Sequence, residues 1–171
     1  TDNESPTFAD LTGDGRPELV CITKGAYGYA TPDWADPSKP WTWHRITPVK
    51  GYGNFTHGMG AGDVNGDGRL DLLEKDGWWE QPADYRTAGE WKFHKFSFSG
   101  PSAQGGAQML VYDVNGDGQA DVITSWEAHG YAPWAVIERA SGRLVGHSGL
   151  RWMDSLSITD TIWTMHPDTK G

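Results

Sequence analysis

The sequence is poor in cysteine, in long apolar stretches and in basic residues. Its single cysteine, Cys21, stands in a short apolar run and cannot form a disulfide within the chain, so we expect a buried thiol. No stretch approaches the ~18 apolar residues of a membrane-spanning helix, so we expect no membrane span. Lysine and arginine number 14 against 23 aspartates and glutamates, and the resulting net charge of −9 argues against a nucleic-acid partner.

Glycine, proline and tryptophan, by contrast, are abundant. The 171 residues include 23 glycines, 10 prolines and 10 tryptophans. Frequent turns and short elements follow from the glycines and prolines, and they are typical of an all-β protein. With 37% hydrophobic and 22% charged residues, the composition is that of a globular domain and not of a disordered chain.

Many of the acidic residues are concentrated in three nine-residue segments, at 10–18, 63–71 and 113–121. They read DLTGDGRPE, DVNGDGRLD and DVNGDGQAD, with a carboxylate at positions 1, 5 and 9 of each segment. Like charges brought close together repel one another and raise each other's pKa values. A turn alone needs only a glycine and one Asp or Asn. The repeated crowding therefore indicates that a cation sits among the carboxylates.

A hard divalent cation fits these segments best. Ca2+ takes about six to eight oxygen ligands from carboxylates, amides and backbone carbonyls. Positions 1, 3, 5 and 9 offer side-chain oxygens, position 7 offers its backbone carbonyl, and the glycines allow the loop to curl. We expect about three Ca2+ ions, with Mg2+ possible and plain Asp-Gly turns as the alternative. The predicted ligands are Asp10, Thr12, Asp14, Arg16 and Glu18; Asp63, Asn65, Asp67, Arg69 and Asp71; and Asp113, Asn115, Asp117, Gln119 and Asp121.

The EF-hand is the competing interpretation of the second segment. Residues 63–74 satisfy its pattern, with Glu74 at position 12. The other two segments have Cys21 and Thr124 at that position. The Gly-rich residues 58–62 cannot hold the helix that an EF-hand needs before its loop. We therefore interpret the Glu74 match as accidental.

The three segments recur with a period near 50 residues, since they begin at residues 10, 63 and 113. Such a period indicates a repeat architecture. Each unit contains a short strand, the acidic loop, a second strand, a turn, a third strand and a fourth, as in the alternating aromatic and polar residues of 91–98. Four antiparallel strands in a unit of ~50 residues form a blade of a β-propeller.

We therefore predict an all-β fold, a β-propeller fragment over residues 1–171 with about three four-stranded antiparallel blades and a calcium-binding loop between the first two strands of each. The blades lie at about 3–50, 51–100 and 101–150. Residues 151–171 are either the start of a further blade or a divergent tail. Propellers close with about four to eight blades, so we expect the rest of the propeller in a larger parent chain, or ring closure in an oligomer.

Two strings, DVNGDGRLDLL and DVNGDGQADVI, resemble the FG-GAP or VCBS repeats of β-propellers, and the resemblance extends over about residues 3–140. The pairs and triplets His57-Gly58, Trp78-Trp79-Glu80 and Ala128-His129-Gly130 are similar to the propeller part of bacterial secreted aldos-2-ulose dehydratase-like proteins. The first resemblance implies a calcium-binding module. The second implies a secreted, periplasmic or cell-surface location and β-elimination on keto sugars.

Blade topology predicts that the acidic loops lie on one face and that the remaining turns gather on the other. We expect the ligand-binding residues on that opposite face. The candidates for ligand binding are Asn54, Trp78, Glu127 and Tyr131. The candidates for proton transfer are His57, Lys75 and His129, each of which also has an ordinary structural interpretation as a turn or strand residue. Two functions follow: a calcium-stabilised module that binds carbohydrate or protein, and alternatively a lyase that acts on oxidised sugars.

Overall fold

The computed structural model describes residue 3, residues 5–54, 56, 58–98, 108–114 and 116–125, and the backbone of three further strands at 134–138, 143–149 and 162–165. Every regular element in these residues is a β-strand. None of them belongs to a helix of the length and apolarity needed to cross a membrane. The predicted all-β class is confirmed.

Thirteen strands lie in the described residues, in the order predicted for successive blades. They are β1 (Thr7–Ala9), β2 (Glu18–Thr23), β3 (Ala26–Thr31), β4 (Thr42–Arg45), β5 (Gly60–Gly62), β6 (Asp71–Glu74), β7 (Gly77–Glu80), β8 (Lys92–Lys95), β9 (Met109–Tyr112), β10 (Asp121–Ser125), β11 (Trp134–Glu138), β12 (Arg143–Gly149) and β13 (Ile162–Met165).

The strands form three sheets, each an antiparallel meander in chain order: β1-β2-β3-β4, β5-β6-β7-β8 and β9-β10-β11-β12-β13. Strand β13 is the unexpected member. It pairs with β12, with Ile162 opposite Gly149, and so forms the outer edge of the third sheet. The described strand within residues 151–171 therefore belongs to the third sheet.

The inner strands of the three sheets lie side by side, because β5 contacts both β1 and β9. The Met109 N–H donates to the Met59 carbonyl over 2.8 Å, and Met59 forms a parallel bridge with Gln108. The sheets thus radiate from a row of inner strands, as propeller blades do, without closing a ring. This arrangement confirms the predicted propeller architecture.

The middle sheet is sandwiched between its neighbours, because successive strand residues point to opposite faces. In β6, Leu72 packs towards the first sheet and Leu73 towards the third. In β7, Trp79 joins the first cluster and Trp78 the second. All four side chains are buried. Burying one such side chain contributes about 1.5–3 kcal/mol, so the two interfaces between sheets supply the core.

The glycines of β5 are explained by how closely this strand packs against β9. A Cβ atom added to Gly60 would lie 2.2 Å from the Met109 carbonyl oxygen, and one added to Gly62 would lie 2.3 Å from Val111 Cβ. No side chain fits at either position, so the glycines permit the two inner strands to pack closely.

We expect Gly60→Ala to lower the free energy of unfolding by about 1–3 kcal/mol, because the added methyl group overpacks the β5–β9 contact. Urea denaturation measures this change. Gly53→Ala is the matched control, since a Cβ atom at Gly53 meets nothing within 4 Å. Equal losses in the two variants would contradict the close-packing explanation.

Candidate metal loops and cavities

Each acidic segment connects the first strand of a blade to the second, as predicted. The loops lie between β1 and β2, between β5 and β6, and between β9 and β10. In the second loop, Gly66 and Gly68 have φ angles of 77° and 84°. This left-handed region favours glycine, which explains why positions 4 and 6 carry it.

The position-1 carboxylate organises each loop by accepting hydrogen bonds from loop amides. In the second loop, Asp63 Oδ1 accepts from the N–H groups of Gly66 and Asp67 over 2.7 and 3.1 Å. Its Oδ2 accepts from the Gly68 N–H over 2.9 Å. Asp113 makes the same three bonds in the third loop. The sequence repeat therefore produces one geometry at two places in the chain.

The first loop follows the same plan with one bond fewer. Asp10 accepts from the N–H groups of Asp14 and Gly15 over 3.0 and 2.9 Å. Its position-9 residue is Glu18 in place of Asp. The longer side chain reaches the Thr12 N–H over 3.1 Å and is almost fully buried. Burial raises the pKa of Glu18, against the bonds from Thr12, which lower it.

The position-5 carboxylates lie at the exposed side of the loops. Asp14, Asp67 and Asp117 each accept the N–H of the residue at position 7, over 2.9, 2.9 and 2.8 Å. In the second loop Asp67 also pairs with the Arg69 guanidinium and accepts from the Asn65 amide. These carboxylates remain accessible to solvent ions.

The position-9 carboxylates are buried at the base of the loops. Asp71 and Asp121 are 0% and 1% exposed. Asp71 Oδ2 accepts from the Val64 N–H over 3.0 Å and its Oδ1 from the Gln81 N–H over 2.9 Å. Asp121 accepts from the Val114 N–H over 3.0 Å. Position 9 therefore holds the loop against the sheet as well as carrying charge.

The carboxylates of one loop influence each other electrically. Burial raises the pKa of Asp71 to about 6, and the bonds from Gln81 and Val64 oppose this rise. The negative charges of Asp67 and Asp63 raise it further. The three acids of the second loop are thus close enough to repel one another, which is the condition under which a bound cation stabilises a site.

The donor set suits a hard cation by its chemistry, since every predicted ligand atom is an oxygen. Among the described residues, however, no three acidic, histidine or cysteine side chains already converge as a metal cage. The reason is visible in the second loop, where the Asp63 and Asp71 oxygens accept backbone N–H groups. An ion would have to draw these oxygens towards the exposed position-5 carboxylate.

The predicted ligand-face residues do not form one site in the described structure. Lys75 lies in the turn between β6 and β7, with its ammonium 3.1 Å from the Asp76 carboxylate. Asn54 is exposed and lines neither of the two cavities described below. The candidates that lie outside the described residues are His57, Glu127, His129 and Tyr131, together with the predicted metal ligand Asn115.

Trp78, which was predicted to bind a ligand, lies in the core of the described structure. Its side chain is only 8% exposed, belongs to the core between the second and third sheets, and stacks on His94 with ring centroids 4.1 Å apart. Trp79 is also buried, on the other face of the strand. A sheet packed on both sides leaves neither tryptophan free to meet a ligand.

The larger cavity lies beside the first acidic loop, and we name it the loop-side cavity. It has a volume of about 540 Å3 and is lined by Thr12, Asp14, Tyr29, Trp34, Arg86 and Trp91, among others. We predicted that ligand pockets would be separated from the metal loops, and this cavity departs from that prediction. Three predicted ligands of the first loop, Thr12, Asp14 and Glu18, contribute to its wall.

The second cavity lies on the opposite face, between the first and second sheets, and we name it the turn-side cavity. It has a volume of about 300 Å3 and is lined by Tyr27, Lys50, Tyr52, Thr56, Glu74, Lys75, Asp76 and Phe93. Sequence reasoning missed Glu74, the last residue of β6, which is 5% exposed. The sequence signal that could have found Glu74 is a carboxylate that directly follows the apolar pair 72–73. Burial raises the pKa of Glu74, and the nearby Tyr52 hydroxyl and Lys50 charge oppose this.

The position of Glu74 also settles the EF-hand alternative. Glu74 lies at the far end of β6 from the acidic loop, and the loop is flanked by strands β5 and β6. Its carboxylate faces the turn-side cavity. It therefore does not serve as the twelfth residue of a calcium loop.

The fold and the repeated acidic loops define the chain as an open β-propeller module. Residues 10–74 match the FG-GAP-like repeat family, a span that includes the first two acidic loops and ends with β6. This match supports the FG-GAP resemblance for that part of the chain. No curated protein and no solved structure matches the chain significantly, so the resemblance to aldos-2-ulose dehydratase-like proteins gains no support.

Proposed function

We propose that this chain is a calcium-binding propeller module in which each acidic loop holds one Ca2+ ion and fixes the hairpin of its two inner strands. One observation carries the proposal: the chain builds three such loops, each with carboxylates at positions 1, 5 and 9 and with a position-1 aspartate that accepts loop amides. Plain turns do not need three acids each. The pKa of Asp71, raised further by the charges of Asp63 and Asp67, supports the presence of a neutralising ion.

Charge compensation by the protein itself is the alternative, and it differs among the loops. In the second loop Arg69 pairs with Asp67. In the first, the corresponding Arg16 lies over the Trp34 ring, 5.7 Å from its centroid. In the third, position 7 is Gln119, which carries no charge. A cation would compensate all three loops in the same way, which the side chains do not.

The proposed module binds a carbohydrate or protein ligand on the face that carries the turn-side cavity. Further blades, from the same chain or from another copy, complete the ring, because the three sheets do not close one. We propose a secreted, periplasmic or cell-surface location. We prefer this binding role to the lyase, because Lys75, a candidate for proton transfer, is paired with Asp76.

Calorimetric titration of the chelated chain with CaCl2 tests the proposal. We expect about three ions per chain, and one fewer in Asp67→Asn, because the loss of a charged ligand weakens one site only. A parallel titration with MgCl2 should give weaker binding, since Mg2+ requires a near-ideal octahedron and gives up its waters reluctantly.

The control for this titration is Asp84→Asn, an exposed aspartate outside the loops whose carboxylate accepts from the Thr87 hydroxyl. It should bind as many ions as the unaltered chain. Absence of any heat of binding at millimolar calcium would overturn the proposal, as would an unchanged ion count in Asp67→Asn.

A further inference from the structure

The turn-side cavity contains two buried polar atoms that the described residues leave without a partner. Neither the Tyr27 hydroxyl nor Glu74 Oε2 forms a hydrogen bond among the described residues. Tyr27 is 0% exposed and Glu74 5%. A buried polar group without a partner destabilises the fold. Both residues line the same cavity, so one occupant can satisfy both.

The size of the cavity suits a small molecule better than a single water. Its volume is about 300 Å3. One water occupies about 30 Å3 in the liquid, whereas ligand sites begin at about 300 Å3. The space therefore matches one six-membered ring with its substituents, and it is too small for a chain of such rings.

The charges around the cavity cancel. Lys75 pairs with Asp76 over 3.1 Å. The Lys50 ammonium lies 5.0 Å from the Trp79 ring centroid and 5.1 Å from that of Phe93. Its charge also acts on the Glu74 carboxyl group. With two cationic and two anionic side chains in the wall, the cavity favours neither an anion nor a cation.

The wall also offers apolar ring surfaces beside its polar atoms. The rings of Tyr27 and Tyr52 lie 4.5 Å apart at a tilt of 55°, and Phe93 lines the same cavity. Rings of this kind pack against the C–H faces of a cyclic molecule. A hydroxyl group can donate to Glu74 Oε2 and accept from the Tyr27 hydroxyl at the same time.

We propose that the turn-side cavity binds a neutral cyclic polyol of monosaccharide size, with one hydroxyl shared between Glu74 and Tyr27. This inference rests on the proposed ligand-binding role of that face and is independent of the calcium sites. It assigns Glu74, which the sequence had left without a role, as the central polar contact of the ligand.

The test is an NMR titration of the 15N-labelled 171-residue chain with methyl β-D-glucopyranoside, run once with calcium and once with chelator. We expect saturable shifts of amides around Tyr52 and residues 74–77. Glu74→Gln and Tyr27→Phe should each weaken the affinity about tenfold, because each removes one hydrogen bond, charge-assisted in the case of Glu74. Both variants keep the shape of the buried side chain, and the amide spectrum reports whether they fold.

Tyr85→Phe is the matched control, because the Tyr85 hydroxyl is also buried without a partner among the described residues but belongs to the loop-side cavity. Its affinity should equal that of the unaltered chain. Three results would overturn the inference: no shifts at 100 mM glucoside, equal affinity in all variants, or tighter binding of glucuronate or glucosamine than of the neutral glucoside. Calcium binding would stand in each case, since the titration with CaCl2 measures it separately.

Discussion

Removal of calcium should lower the melting temperature of this chain by about 15 °C or more. A ligand that binds only the folded state at 100 times its dissociation constant contributes about 2.7 kcal/mol. Three such ions contribute about 8 kcal/mol together. For a chain of this length, 1 kcal/mol shifts the melting temperature by about 2–4 °C. Differential scanning calorimetry with 1 mM calcium and with excess chelator measures the difference.

Single-loop variants divide this effect into its parts. Asp14→Asn, Asp67→Asn and Asp117→Asn each remove one exposed position-5 carboxylate that accepts the N–H of the residue at position 7. Each should lose about a third of the calcium-dependent stabilisation. The melting temperature with chelator should change by only a few degrees, because exposed charges contribute little to stability.

Asp84→Asn, with its exposed carboxylate outside the loops, should keep the full response to calcium. If calcium fails to raise the melting temperature of the unaltered chain, the ion does not stabilise the fold. If the three loop variants each keep the full calcium effect, the ion binds elsewhere. The experiment therefore separates a loop-bound ion from general screening of a chain with a net charge of −9.

The sequence predicts the blades well because each loop motif marks where the first two strands of its blade lie along the chain. Once residues 10–18 and 63–71 are placed between the first two strands, the antiparallel meander follows. The inner strand of the second blade, β5, is short and comprises only Gly60–Gly62. Its length depends on contact with β9, which a local pattern does not contain.

The candidate site was harder to predict, since a strand that is buried on both faces does not reveal which side meets a ligand. Trp78 and Trp79 alternate as expected, but both are buried between sheets. For Glu74, the sequence and the structure point to different roles. Its sequence neighbourhood suggested a metal loop, whereas its burial beside Tyr27 depends on how the first sheet packs against the second. Long-range packing, and not local spacing, builds that cavity.

The pH dependence of stability should have opposite slopes with and without calcium. Burial raises the pKa of Asp71 to about 6, whereas an aspartate in the unfolded chain titrates near about 3.9. A raised folded-state pKa means that the folded chain binds more protons than the unfolded chain between these values. The stabilisation is complete below pH 3.9 or so and is lost as the pH rises through about 6.

For the calcium-free chain, Asp71 alone should lower the free energy of unfolding by about 2 kcal/mol between pH 4 and pH 7. The buried carboxyls of Glu18 and Glu74, whose pKa values are also raised, act in the same direction. Glu80 has the opposite effect on the free energy of unfolding, and at lower pH, because its hydrogen bond with His94 lowers its pKa. Urea denaturation in chelator at several pH values measures the slope.

With calcium the slope should reverse, because metal ligands must be deprotonated to bind and the affinity therefore rises with pH. Asp71→Asn should make the calcium-free curve less steep, since the amide does not titrate while Glu18 and Glu74 still do, and it should also remove the calcium response of the second loop. Asp67→Asn is the control that weakens the same calcium site without removing the buried group. Parallel curves with and without calcium would show that the buried position-9 carboxylate does not take part in ion binding, and a flat calcium-free curve would show that its burial does not govern stability.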